Sequence, residues 1–150
     1  HPHHFLSVTK QGLTAIVATK GNLDCHVILR GGTGKPNYYA ENIAETNELL
    51  EAAGLEGRVM IDCSHANSGK DHEKQSAVSS EVAKQVAGGS QGVFGLMLES
   101  FLVGGRQDNG TSSDLTYGQS ITDACMSWDA TVPVLEELAD AVRKRRSAGT

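Results

Sequence analysis

Proline is scarce, at 3 of 150 residues, while glycine is abundant, at 17. Turns in such a chain come from glycine, which points to many tight reversals and close backbone approaches. Cysteine is scarce too. Cys25, Cys63 and Cys125 form an odd set with no CxxC pair, which argues against a disulfide framework and for buried thiols in a reducing cytoplasm. No apolar run approaches the ~20 residues that a membrane helix needs. Positive charge is not in excess: the net charge is −5, so neither a membrane partner nor a nucleic-acid footprint is expected. The opening residues, HPHHFLSVTK, carry neither the charged n-region nor the apolar h-region of a signal peptide. What remains is a chain with 39% hydrophobic residues, long enough for one domain with a real core.

The pattern of those residues predicts alternating elements. Phe5–Thr9 reads as a strand, and Leu13–Thr19 as a short helix closed by Gly21-Asn22. Cys25–Leu29 is an apolar strand that stops at Arg30-Gly31-Gly32. After the loop Gly31–Asn37, with Asn37 as N-cap, a helix is expected over Tyr38–Ala53, with Tyr39, Ile43, Leu50 and Ala53 on one stripe. Val59–Cys63 is a third strand. It runs into a turn that packs Ser64, His65, Asn67, Ser68 and Lys70 together. His72–Ala87 has helical spacing, with Ala77, Val78, Val82 and Val86 inward, and Gly92–Leu98 is a fourth strand. Residues 103–122 form a polar loop too long for a mere connector. Thr131 then caps a final helix through Val142, and Trp128 and the Tyr38-Tyr39 pair read as core or helix-packing residues. The sum is an α/β chain of four consecutive βα units with a parallel sheet covered on both faces. Four units are half of a (β/α)8 barrel, which needs ~250 residues to close; a four-stranded doubly wound sheet fits the pattern equally.

Parallel strands share a direction, so the residues at their C-terminal ends share a rim. Arg30 ends the second strand, His65 follows the third, Glu99 ends the fourth, and Asp123 sits in the segment after the long loop. Each alone has a plain explanation: a solvated arginine, a hydrogen-bonded turn histidine, an edge glutamate, an aspartate capping the next short segment. Together, an imidazole and two carboxylates on one rim suit a borderline divalent cation such as Mn, Fe, Co or Zn. Arg30, at the end of a buried strand before Gly-Gly, suits a phosphate or carboxylate held in a bidentate fork. Gly31–Lys35 lacks the spacing of a phosphate loop. Cys63, two residues before His65, lies on the side that would permit ligation, though a buried structural thiol is the stronger reading.

Five stretches, FLSVTKQGLTAIVATKGN, CHVILRGG, VMIDCSHANSGK, LMLES and YGQSITDAC, resemble class I 3-deoxy-D-arabino-heptulosonate 7-phosphate (DAHP) synthase, in that family's order. The resemblance implies that residues 1–150 are a single partial domain, the C-terminal half of a (β/α)8 TIM barrel, with an N-terminal half absent. It implies a transferase that condenses phosphoenolpyruvate with erythrose 4-phosphate, releases phosphate and opens aromatic amino acid biosynthesis. By the same resemblance His65, Glu99 and Asp123 match metal ligands, Arg30 matches a residue binding the phosphoenolpyruvate phosphate, and Arg30 and His65 are catalytic. Phe5, Ser7 and Val17 resemble positions lining a pocket for an aromatic amino acid effector. A cytoplasmic homo-oligomer is expected. The family's cysteine ligand and its KPRT loop have no counterpart here, so the chain alone is expected to be inactive or nearly so. A non-catalytic half-barrel that binds a partner or itself is the competing expectation.

Overall fold

A computed structural model describes residues 1–32, 34–111 and 113–149. Thr33, within the glycine-rich loop after Arg30, and Ser112, within the long loop, lie outside the described residues.

The chain opens with an antiparallel hairpin, not with a βα unit. β1 (His4–Val8) pairs with β2 (Thr14–Ala18) through the register Phe5↔Val17 and Ser7↔Ala15. The helix expected over Leu13–Thr19 is therefore a strand. The β-branched residues Thr14, Ile16 and Val17 favour extended backbone. Gly12, at φ +80°, closes the turn, with the Thr9 and Leu13 backbones hydrogen-bonded across it.

Beyond the hairpin in sequence lies a three-stranded parallel sheet in the order β3 (Val27–Leu29), β4 (Val59–Asp62), β5 (Val93–Met97). α1 (Ala40–Ala52) links the first two strands and α2 (Gln75–Ala87), entered through a 3-10 turn at His72–Lys74, links the last two. α3 (Trp128–Ala148) follows a long excursion. The parallel repeat thus has three units among the described residues, where four were expected.

β4 is central, and its side chains alternate between two environments. Val59, Ile61 and Cys63 are fully buried in one cluster with Ile43 of α1, Val78, Val82 and Val86 of α2, and Ala141 of α3. Met60 and Asp62 point to the opposite face. There Ile28, which pairs with Met60, is 37% exposed. One face of the sheet is thus covered by helices, while the other carries exposed apolar side chains, a departure from the expected cover on both faces.

Several local expectations shift for identifiable reasons. Asn37 does not cap α1; its side-chain oxygen instead accepts from the Gly31 N–H at 2.7 Å, and Tyr39 occupies the N-cap. Of the expected α1 stripe only Ile43 is buried, and Ala77 of α2 faces solvent, where Ser79 and Ala83 turn inward. α3 starts before Thr131 because the Ser127 hydroxyl accepts from the Ala130 N–H, and the helix continues past Val142. Trp128, in its first turn, is 52% exposed rather than a core residue. Within residues 103–122, β6 (Val103–Arg106) and β7 (Gln119–Ser120) form a small parallel pair. A strand pair there was hidden by Gly104-Gly105 and by the polar residues between the two segments.

Candidate metal centre

Three strand ends and one returning segment build the candidate site. After Asp62, β4 gives way to the Ser64–Lys70 turn, where Asn67 acts as a clasp. Its side-chain N–H groups donate to the carbonyls of Leu29 at 3.0 Å and Asp62 at 2.8 Å, and its oxygen accepts from the Asn37 N–H at 2.8 Å. The ends of β3 and β4 are thereby tied to one buried amide. Gly31, at φ +83°, lies so close to this turn that a Cβ there would stand 2.7 Å from the Ala66 Cβ. Arg30 is anchored between these features, and its side chain is exposed with no ion-pair partner among the described residues.

Glu99 follows β5 and is fixed through its backbone. The fully buried Gln75 accepts from the Glu99 N–H at 2.9 Å and donates to its carbonyl at 3.2 Å. One side-chain amide thus replaces the two ladder bonds that a neighbouring strand would give. Asp123 is brought alongside because the next residues return to the same strand end. The Met126 N–H donates to the Glu99 carbonyl at 2.9 Å, and the Phe101 N–H donates to the Met126 carbonyl at 2.9 Å. Cys125 pairs with Gly105 in both directions, at 2.8 and 3.1 Å.

His65, Glu99 and Asp123 consequently present one ligand atom each, all within 4.8 Å of one another. His65 Nε2 stands 3.9 Å from Glu99 Oε1. On its other side His65 Nδ1 is 2.6 Å from Asp62 Oδ2. Burial raises the Glu99 pKa, as do the nearby Asp123 and Asp62 carboxylates, with His65 opposing them. Asp62 behaves in the opposite way. Burial pushes its pKa up, but hydrogen bonds from the Ser64 hydroxyl, the Ser64 N–H and His65 outweigh that and hold it below the ordinary value.

Three carboxylates thus crowd one imidazole, with negative charge that no arginine or lysine ion pair offsets among the described residues. A divalent cation would relieve that charge, and the mixed N/O donor set fits a borderline metal. Cys63 does not join the group. It lies in the hydrophobic core, where burial drives its thiol pKa to about 12. Its expected shared side with His65 does not hold, because the strand alternation ends before the turn that carries the histidine. The three hairpin positions do come together. Phe5 pairs with Val17, and Ser7 lies two residues along, so all three share one face of the β1–β2 hairpin.

Asn67 stands among the polar turn residues that the sequence marks beside His65, whereas Asp62 and Gln75 do not. Asp62 carried a signal: a charged residue inside an otherwise apolar strand, three positions before a histidine. Gln75 carried none, since glutamine in a first helical turn is usually solvated.

A parallel α/β sheet whose strand ends gather a histidine and acidic residues defines the class as α/β proteins with a candidate metal centre at the strand C-termini. Residues 1–136 match the model of the DAHP synthetase I family, and the chain belongs to that family. It is 52% identical over 150 residues to the tyrosine-inhibited phospho-2-dehydro-3-deoxyheptonate aldolase of Schizosaccharomyces pombe, covering 97% of this chain and 40% of that protein. It is 54% identical over 145 residues to the Phe-sensitive phospho-2-dehydro-3-deoxyheptonate aldolase of Escherichia coli K12, covering 97% of this chain and 41% of that one. The solved structure of the phospho-2-dehydro-3-deoxyheptonate aldolase of Francisella tularensis SCHU S4 superposes with a TM-score of 0.86 at 51% identity, over 97% of this chain and 42% of that one. The chain spans about two-fifths of the length of these relatives.

Proposed function

We propose that this chain is the C-terminal part of a 3-deoxy-7-phosphoheptulonate synthase, with its three βα units forming part of a (β/α)8 barrel. The enzyme joins the methylene carbon of phosphoenolpyruvate to the aldehyde carbon of erythrose 4-phosphate, with water adding at the neighbouring carbon and phosphate leaving. The observation that carries this reading is the convergence of His65, Glu99 and Asp123 to within 4.8 Å in a chain of this family. A divalent metal held by these residues would supply Lewis-acid polarisation of the aldehyde oxygen. Glu99 and Asp123 contribute the charge that holds such an ion, and His65 the neutral nitrogen ligand. Arg30 holds the phosphate of phosphoenolpyruvate and stabilises it as it departs, a role suited to a fork of N–H donors that has no ion-pair partner among the described residues.

Phe5, Ser7 and Val17 form the face that takes an aromatic amino acid effector; the names of two relatives record tyrosine inhibition and phenylalanine sensitivity. No helix among the described residues is long and apolar enough to cross a membrane, in keeping with a cytoplasmic biosynthetic enzyme. The enzyme is a homo-oligomer, and the 150 residues by themselves turn over little or no substrate. Support for that last point is the share of the relatives that the chain spans and the position of Cys63 in the core, away from the other candidate ligands.

Exchanging this chain for the matching part of the E. coli Phe-sensitive relative tests the reading. The chimera should release phosphate from the two substrates with manganese. Arg30→Ala should raise the KM for phosphoenolpyruvate and lower kcat/KM by about 10²-fold or more, corresponding to roughly 3 kcal/mol of transition-state stabilisation. A folded chimera indifferent to both Arg30→Ala and His65→Ala would contradict the assignment.

A further inference from the structure

The two oxygens of Asp62 have separate partners. Oδ1 accepts from the Ser64 N–H at 2.8 Å, the Ser64 hydroxyl at 2.7 Å and the His65 N–H at 3.3 Å. Those bonds shape the start of the turn. Oδ2 faces His65 Nδ1 at 2.6 Å. The carboxylate is 3% exposed and, being ionised, can only accept. In the neutral ring Nδ1 must therefore carry the proton, which leaves the Nε2 lone pair on the side of Glu99, 3.9 Å away.

We propose that Asp62 is the positioning residue of this centre: it fixes His65 in the Nδ1–H tautomer and turns the Nε2 lone pair toward Glu99 and Asp123. The inference rests on the metal-site reading and deepens it. A carboxylate behind a ligating histidine fixes the ring's orientation and raises its basicity, and losing such a partner typically weakens metal binding 10–100-fold. The geometry also separates this role from simple support of the turn. Three donors converge on Oδ1, so an asparagine at position 62 must keep its oxygen there and place its NH2 at the Oδ2 position. That amide would donate to Nδ1, force the proton onto Nε2 and block the lone pair, while leaving the turn intact.

The test uses the chimera described above, with this chain unsubstituted as its wild type, in two states. In metal-free protein labelled with ¹⁵N-histidine, at about pH 8 where an ordinary histidine is neutral, long-range ¹H–¹⁵N correlation identifies the protonated ring nitrogen. The His65 signals are assigned by their loss in His65→Gln. Wild type should show Nδ1–H, Asp62→Asn should show Nε2–H, and Glu99→Gln should keep Nδ1–H. Manganese titration should show Asp62→Asn binding 10–100-fold more weakly than wild type. Wild-type His65 protonated on Nε2 would overturn the proposal even if Asp62→Asn failed to fold. So would an Asp62→Asn protein with the wild-type tautomer and affinity. Failure of wild type to bind manganese would refute the metal-site reading instead, and the tautomer spectra would still decide the role of Asp62.

Discussion

At Glu99, burial and two neighbouring carboxylates oppose ionisation, and only His65 favours it. A carboxyl whose folded pKa is raised binds its proton more tightly in the folded chain than in the unfolded one. Its ionisation therefore lowers stability as pH rises from the ordinary carboxylate range through the folded value. Glu99→Gln should accordingly stabilise the metal-free chain near neutral pH by about 0.5–1 kcal/mol, seen as a higher Tm, while weakening manganese binding. Asp62 has the opposite sign. Its depressed pKa contributes stability above the ordinary aspartate value, which is lost as pH falls through the folded one. The cysteines differ in burial and therefore in reactivity. With a pKa of about 12 and no exposure, Cys63 should resist a thiol reagent until the chain unfolds, while the exposed Cys25 reacts at once. Labelling counted by mass with and without denaturant distinguishes the two.

Among the elements, the strand ends were the most legible part of the sequence. β3, β4 and β5 are short apolar runs, each stopped by a glycine or a polar cluster, and parallel pairing puts Arg30, His65 and Glu99 at one edge without further information. The hairpin was less legible. TAIVAT has no polar alternation to betray a strand, because four of its six side chains are exposed, none is buried and no core imposes a period. The route of Asp123 back to Glu99 could not be read, since it depends on backbone bonds from Met126 and Cys125 that leave no mark on residue type. The joint between Arg30 and the His65 turn is closely packed at Gly31. Gly31→Ala adds a methyl 2.7 Å from the Ala66 Cβ at a φ of +83°, a backbone region that L side chains rarely adopt. It should cost about 1–3 kcal/mol in denaturant unfolding. Ser127→Ala, which removes the α3 cap, should cost about 1 kcal/mol.

Among the described residues, exposed apolar side chains lie on the hairpin, the uncovered face of the sheet and the outer side of α3, as well as in several connecting segments. Leu6, Ile16 and Leu13 are 75%, 72% and 67% exposed, and Trp128 and Leu135 are each about half exposed. Exposed apolar patches of this kind mark contact surfaces, and the chain spans about two-fifths of the relatives' length. The sequence motifs were enough to recognise the family over nearly the whole chain, but not the packing that supports the site. Buried polar partners such as Gln75 and Asp62 are chosen by geometry between distant segments, which no local pattern records. The proposed centre has His65, Glu99 and Asp123 holding one metal ion. Diffraction from crystals grown with manganese, measured near its absorption edge, tests it directly. An anomalous peak bonded to His65 Nε2 and to carboxylate oxygens of Glu99 and Asp123 is the expected result; manganese bound to neither His65 nor Glu99 would overturn the assignment.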